Sequence, residues 1–144
     1  MKKDRREKLI KGHQRLFSRG VGIECGDGWL ELIDTLCHYF EDKLINKEVK
    51  RITFAQIKEK FGLLRVYFNV HFPQAPDVRN NSLYEELHHT VNTIETLSSI
   101  VCEDCGQIKN ENLDVKMRTL NGWKMTSCDE CFAALKKRRI MDEK

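Results

Sequence analysis

The chain has 144 residues, six cysteines and a formal net charge of +3. A chain of this length can bury one modest core, so we expect one or two compact units. No apolar run approaches the roughly 18 residues of a membrane-spanning helix, and the charged start Met1–Lys8 lacks the apolar segment of a signal peptide. These features argue against a membrane protein and favour the cytoplasm, where paired cysteines bind metal more often than they form disulfides.

The charge is distributed unevenly along the chain. Residues 1–19 carry eight basic and two acidic side chains, and residues 136–144 carry five basic and two acidic ones. The segment 20–135 has twelve basic and eighteen acidic residues. Basic ends on an acidic body are compatible with arms that reach a phosphate backbone. Solvated helix faces explain the same pattern, so nucleic acid stays an alternative partner rather than the main one.

Apolar periodicity predicts two helices in the first third of the chain. Residues 4–18 form the first, which Gly20 ends, and His13 lies near its apolar stripe, where we expect it to pack rather than to bind a ligand. Asp27 occupies the N-cap position of the second helix, residues 28–44. Apolar residues repeat there every three or four positions: Trp29, Leu32, Ile33, Leu36, Phe40 and Leu44. This second helix is therefore the expected centre of the core.

The middle of the chain changes to a period of two. Residues 52–57 and 64–70 predict two antiparallel strands, joined by a turn over residues 58–62. Residues 72–81 contain both prolines and predict a loop. Ser82 and Glu85 have the spacing of a capping box, which predicts a third helix that continues to Val101.

Two cysteine pairs, Cys102-x-x-Cys105 and Cys128-x-x-Cys131, follow that helix. Four thiolates in two such pairs are a usual ligand set for zinc, and Gly106 can adopt the positive φ that closes a knuckle. Between the pairs, residues 113–120 and 123–126 predict strands joined by Asn121-Gly122, a strong hairpin signal. A short helix over residues 132–140 completes the arrangement of a treble-clef zinc finger. Two disulfides or free core thiols are the alternative.

The expected fold class is therefore α+β. An α-α-β-β-α core over residues 1–101 precedes a zinc finger over residues 102–144, which we expect to be docked on the core. Cys25 and Cys37 have no spaced partner and are expected to be buried thiols.

Several segments together resemble a group of small, mostly uncharacterised bacterial and prophage proteins. The segments are Glu24-Cys-Gly-Asp-Gly-Trp29, Gln56-Ile-Lys-Glu-Lys-Phe-Gly62, Leu64-Arg-Val-Tyr67, Cys102-x-x-Cys105-Gly106, Gly122-Trp123 and Cys128-x-x-Cys131. No catalytic role comes with this resemblance. It implies a mobile-element setting, in which small proteins often modify host defence or host transcription.

An enzyme is the less favoured hypothesis. Residues 113–127 lack the histidine that treble-clef nucleases use as a base, and a four-thiolate zinc site is coordinatively closed. Glu48-x-Lys50 with Asp34 or Asp27 imitates a magnesium nuclease site, but such a triplet arises by chance in a charged chain. Cys25 with His38 or His13 is the corresponding thiol–base hypothesis.

The sequence therefore predicts a non-catalytic protein with one structural zinc ion that docks to a host protein or protein complex. Inhibition of a defence complex, in the manner of an anti-CRISPR protein, or modulation of transcription is the expected role. A sequence-nonspecific DNA- or RNA-binding finger is the alternative, and a metal-dependent nuclease is a remote one. The candidate partner-binding residues are Phe61, Phe72, Trp123, Arg138 and Arg139.

Overall fold

The structure is a computed structural model that describes residues 2–73 and 78–142. It is a mixed arrangement of helices and strands, as the predicted α+β class requires. The helices are α1 (Lys2–Gly12), α2 (Leu30–Ile45), α3 (Val78–Leu97) and α4 (Asp129–Asp142). The strands are β1 (Ile23–Glu24), β2 (Arg51–Lys60), β3 (Leu63–His71), β4 (Val115–Leu120) and β5 (Trp123–Cys128). Single 3₁₀ turns cover Gln14–Leu16, Asp27–Trp29 and Ser98–Ile100.

The strands form two separate sheets. The first has the order β1-β2-β3, with β1 parallel and β3 antiparallel to β2, and the second is the β4–β5 hairpin. Two-residue turns connect both hairpins: Phe61 and Gly62 have φ values of 53° and 82°, and Asn121 and Gly122 have 51° and 80°. Positive φ at both turn residues matches the right-handed twist of the flanking strands, which confirms the predicted Asn-Gly hairpin.

Helices α2 and α3 bury their apolar sides against the first sheet. Trp29 and Phe40 are fully buried, and the Phe40 ring lies 5.5 Å from that of Phe54 and 5.3 Å from that of Phe68. The stripe predicted for the second helix is therefore the centre of the main core, and its predicted bounds differ from those of α2 by no more than two residues.

A second and much smaller apolar cluster lies around the cysteine pairs. Its buried members are Cys102, Val115 and Cys128, with Leu113 and Cys131 packed against them. One valine and one leucine bury too little apolar area to stabilise some forty residues of chain on their own. This part of the molecule therefore needs another source of stability.

Hydrogen bonds from the segment just before α2 join the two clusters. The amide of Gly28 donates to the carbonyl of Glu103 at 2.7 Å, and the amide of Gly26 donates to the Glu103 carboxylate at 2.9 Å. The indole N–H of Trp29 donates to the carbonyl of Val101 at 2.8 Å. The glycine-rich loop, residues 20–28, and Trp29 thus bind the chain on both sides of the predicted boundary between residues 101 and 102.

Several predicted boundaries were wrong, including the end of the third helix, which is Leu97 instead of Val101. Helix α1 ends at Gly12 instead of residue 18, because His13 has φ −132° and ψ 40° and turns its ring toward α2. Helix α3 begins at Val78, so Ser82 lies inside the helix rather than at its cap. Part of the predicted loop 72–81, residues 74–77, lies outside the described residues. Helix α4 begins at Asp129, so Cys128 ends β5 and only Cys131 lies in the first helical turn.

Two further local predictions need correction. Asp27 does not cap α2 with its side chain; its carboxylate lies 3.0 Å from the guanidinium of Arg6. The turn predicted over residues 58–62 shrinks to Phe61-Gly62, because β2 continues to Lys60. Strand β1 was not predicted, since it is a two-residue strand within the glycine-rich loop.

Candidate metal centre

Three parts of the chain bring the four cysteine sulfurs together. Cys102 and Cys105 lie in the knuckle after α3, Cys128 is the last residue of β5, and Cys131 lies in the first turn of α4. Within the knuckle, the amide of Gly106 donates to the carbonyl of Cys102 at 2.9 Å, and Gly106 has a φ of 82°. The four sulfurs all lie within 4.8 Å of one another and could hold a metal ion.

The sulfur spacing favours a metal over a disulfide. All six cysteines are free, and the sulfurs of Cys105 and Cys128 are 3.8 Å apart. A disulfide would require about 2.05 Å. In a regular tetrahedron with zinc–sulfur bonds of about 2.3 Å, the sulfurs are about 3.8 Å apart. The Cys105–Cys128 distance therefore matches a tetrahedral ion, and the other sulfurs lie close enough to join it.

The electrostatics of the cluster also call for a cation. Burial raises the pKa of the Cys102 thiol, but hydrogen bonds from the backbone at Cys105, Cys128 and Asp104 outweigh burial and lower its pKa overall. Burial, followed by the neighbouring sulfurs, raises the pKa of Cys131. The protein alone thus favours a thiolate at Cys102 and disfavours one at Cys131, where a further thiolate would add like charge to a confined space. A divalent cation removes that repulsion.

One groove beside the cysteines brings together three of the predicted partner-binding residues. It has a volume of ≈ 250 Å³ and lies between β5, α4 and the knuckle. Trp123, which is 59% exposed, lines it together with Arg138 and Arg139. Glu103 and Asp104 line it as well. We refer to this feature as the finger groove.

The other two predicted residues, Phe61 and Phe72, lie at opposite ends of the β2–β3 hairpin. Phe61 is 68% exposed at the turn, whereas Phe72 follows the far end of β3 and packs against the main core. The nine residues of β3 separate them by about 30 Å at roughly 3.3 Å per residue. The five predicted residues therefore do not form one surface.

The thiol and the carboxylates of the two catalytic alternatives are either buried or paired with other side chains. Cys25 is 8% exposed, and burial, assisted by the charge of Glu103, raises the pKa of its thiol to about 12. Cys37 is fully buried, as predicted. Each carboxylate of the imitated nuclease site contacts a different basic side chain: Glu48 pairs with Lys43 at 3.0 Å, Asp27 pairs with Arg6, and Asp34 contacts His13.

A second cluster of potential ligands was not predicted. His13, Asp34 and His38 bring one ligand atom each to within 4.8 Å of the others. The spacing Asp34-x-x-x-His38 was visible in the sequence and places both side chains on one helix face. The approach of His13 from the segment after α1 had no sequence signal.

No helix of residues 2–73 and 78–142 is long and apolar enough to cross a membrane. Comparison with known proteins adds nothing further to the assignment. No protein-family model, curated protein or solved structure matches this chain.

Proposed function

We propose that Cys102, Cys105, Cys128 and Cys131 bind one zinc ion, which holds the C-terminal residues as a treble-clef-like finger. A set of four thiolates favours zinc among the common divalent ions. The support is the tetrahedral spacing of the sulfurs and the small apolar cluster around them. Four protein ligands leave no open coordination position, so the ion is structural rather than catalytic.

The protein then acts by binding another protein, without chemistry of its own. The observation that carries this proposal is the finger groove, in which an exposed Trp123 lies close to Arg138 and Arg139. Tryptophan and arginine are the side chains that most often dominate the binding energy of protein interfaces. The zinc ion contributes by fixing β5 and α4 relative to each other, because Cys128 and Cys131 belong to these two elements.

The polar lining of the finger groove suits a carboxylate of a partner protein. Arg138 and Arg139 line it, and two guanidinium groups can bind a carboxylate. Glu103 and Asp104 would repel a continuous run of phosphates, so a protein segment with isolated acidic residues fits better than nucleic acid.

The identity of the partner class rests on the resemblance to bacterial and prophage proteins. A component of a host defence complex, or of the host transcription machinery, is the partner that we propose. Binding to DNA or RNA is the second candidate, and the basic segments 1–19 and 136–144 favour it.

Elemental analysis of the purified protein tests the metal. We expect Cys105→Ser to contain one equivalent of zinc less than the wild type, whereas Cys37→Ala matches the wild type because Cys37 lies in the main core. A zinc content in the Cys102→Ser/Cys105→Ser double variant equal to that of the wild type would contradict the proposal.

Affinity capture from host lysate, followed by mass spectrometry, tests the finger groove. We expect Trp123→Ala and the pair Arg138→Ala/Arg139→Ala to lose the same partner, which the matched charge control Lys136→Ala/Lys137→Ala retains. The control pair lies on the same helix but does not line the groove. Tyr84→Ala removes another exposed aromatic ring, on α3, and should retain the partner as well.

Oligonucleotide titration separates the two candidates. If nucleic acid is the target, about 6–10 phosphate contacts make the affinity fall by several orders of magnitude between low and physiological salt. We expect no submicromolar binding to random duplex or single-stranded oligonucleotides at about 150 mM salt. Tight binding there, abolished by neutralising Arg138 and Arg139 or Arg5 and Arg6, would favour the nucleic-acid alternative.

A further inference from the structure

The exposed side of α2 carries three polar side chains that converge on a buried histidine. Asp34, His38 and Glu41 are spaced at i, i+4 and i+7, which places them on one face of the helix. His13, which follows α1, is only 6% exposed, and its ring lies edge-on to that of His38 at 4.9 Å between centroids. Two separate parts of the chain thus bring two imidazoles and two carboxylates together.

In both histidines, Nε2 faces Asp34 and Nδ1 faces Glu41. The Nε2 atoms face Asp34, at 2.7 Å from His13 to Oδ1 and at 3.4 Å from His38 to Oδ2. The Nδ1 atoms face Glu41, at 2.7 Å from His13 and 3.9 Å from His38. Asp34 therefore lies between the two Nε2 atoms, and Glu41 lies behind both rings.

We propose that His13 Nε2, His38 Nε2 and the Asp34 carboxylate form a second metal site, which binds a divalent transition-metal ion of the zinc class. These ligand atoms already lie within 4.8 Å of one another. With bonds of about 2.0–2.2 Å, ligand atoms of a tetrahedral ion are about 3.4 Å apart. The contact between His38 and Asp34 has this length. The contact of His13 with Asp34 is shorter and must lengthen, as the ion replaces the proton between Nε2 and Oδ1.

Glu41 has the position that a metal-bound histidine requires of its partner. Such histidines donate their second ring N–H to a carboxylate, which fixes the tautomer and turns the other nitrogen toward the ion. Glu41 accepts this bond from Nδ1 of His13. Because His13 is buried, its Nε2 is held in place before an ion arrives, while the side chain of His38, which is 68% exposed, can close on the ion from the solvent side.

The charge of the cluster also favours a cation. Both short contacts of His13 are hydrogen bonds only when both of its ring nitrogens carry protons, since a carboxylate cannot donate. A divalent ion at Nε2 takes the place of one of these protons and offsets the second carboxylate charge. Imidazole and carboxylate ligands suit zinc, cobalt and nickel. The cluster thus provides nitrogen and oxygen ligands, in contrast to the sulfur ligands of the knuckle.

The proposed site differs from the cysteine site in being open. Three protein ligands leave a coordination position for water or an external ligand. His38 and Glu41 also line a cavity of ≈ 210 Å³ together with Arg15. This inference goes beyond the proposed binding function and does not depend on it.

Titration of Co²⁺ into full-length protein that carries one equivalent of zinc, at the cysteines, tests the second site. We expect one equivalent of cobalt to bind with weak visible absorption and without the thiolate-to-cobalt charge-transfer band that exchange at the cysteines would produce. Cobalt bound only with the thiolate band, or no cobalt bound at all, would overturn the proposal.

Variants on α2 assign the ligands. His38→Ala should weaken cobalt binding at least tenfold while leaving thermal unfolding unchanged, because the His38 ring is largely exposed. Glu41→Gln should weaken it by roughly 10–100-fold and retain one equivalent, as expected for a residue that orients a ligand. His89→Ala, which removes an exposed histidine from α3, should bind cobalt like the wild type. Unchanged affinity in His38→Ala would show that the cluster only joins the segment after α1 to α2 by ion pairs.

Discussion

Gly26 and Gly28 allow the loop before α2 to lie directly against the knuckle. A Cβ added at Gly28 would overlap the carbonyl oxygen of Cys102, and one added at Gly26 would overlap the carbonyl oxygen of Glu103. Close approach of two backbones, rather than a positive φ, therefore requires glycine at both positions. These residues belong to the Glu24–Trp29 segment, whose role was not evident from the sequence.

We expect Gly28→Ala to lower the free energy of unfolding by about 1–3 kcal/mol, the usual cost of overpacking. The matched control is Gly22→Ala, because a Cβ there meets no atom within 4 Å. It should change stability by no more than about 1 kcal/mol. Denaturant unfolding of both variants measures the difference, and equal stabilities would show that the loop can withdraw from the knuckle at no cost.

The thiol of Cys25 should be unreactive in the folded protein. Its pKa of about 12 leaves about one molecule in ten thousand as thiolate at pH 8, and the thiolate is the reactive form. We expect no alkylation of Cys25 in native, zinc-loaded protein and rapid alkylation after denaturation, as measured by mass spectrometry of peptides. Fast labelling of the native protein would instead support the thiol–base hypothesis with His13 or His38.

The same shift makes Cys25 a source of alkaline instability. Its folded pKa lies above the ordinary value of 9.0, so the folded state keeps the proton that the unfolded chain loses first. The contribution of Cys25 to stability is therefore complete below pH 9 and declines as the pH rises from 9 toward 12. Cys25→Ser should show a smaller decline over this range in denaturant unfolding at fixed pH values, and an unchanged decline would contradict the assignment.

At the scale of the elements, β5 is attached to the turn of the β2–β3 hairpin. The hydroxyl of Thr126 donates to the carbonyl of Gly62 at 2.6 Å, and the carbonyl of Thr126 accepts from the amide of Glu103 at 3.0 Å. Thr126 is fully buried. One residue of the finger hairpin thus contacts both the first sheet and the knuckle.

Thr126→Val keeps the shape of the side chain but leaves the carbonyl of Gly62 without its donor. We expect a loss of about 1–3 kcal/mol, the cost of a buried unsatisfied polar group. Amide hydrogen exchange of residues 60–63 should also be faster in this variant than in the wild type. Thr119→Val, at an exposed position of the same hairpin, is the control and should change neither quantity.

At the scale of the whole molecule, the chain combines a large apolar core with a finger that has almost none. The main core includes residues from Leu16 to Val101, whereas the buried hydrophobic residues of segment 102–140 are Cys102, Val115, Met125 and Cys128. A structural zinc ion in such a site contributes roughly 10–16 kcal/mol of apparent binding free energy. We therefore expect the stability of the finger to depend on the proposed ion, and that of the core to depend on packing.

Removal of zinc by a chelator should separate these two parts. We expect amides of residues 102–128 to lose protection from hydrogen exchange, while those of α2 and β2 stay protected and unfold cooperatively on heating. Return of zinc, but not of magnesium, should restore the protection. Simultaneous loss in both parts would show that residues 1–101 do not fold as a unit, contrary to the predicted division.

Much of the fold was predictable because its signals are local. The stripe of α2 and the alternation of β3 each report how one segment buries its own side chains, and Asn121-Gly122 reports a backbone conformation that few other residue pairs adopt. Helix starts were less certain. The Ser82–Glu85 pattern that marks a cap can also occur inside a helix, so it could not show that α3 begins at Val78.

The sequence by itself identified the four cysteines that could hold a metal ion, because the two cysteine pairs and the turn between them lie within one short stretch of chain. Only the tertiary structure decided where α1 ends, how β1 pairs with β2, and which side chains line the finger groove. It also placed His13 between Asp34 and Glu41, residues 21 and 28 positions away. These features depend on contacts between distant segments, and the spacing of residues along the chain carries no record of such contacts.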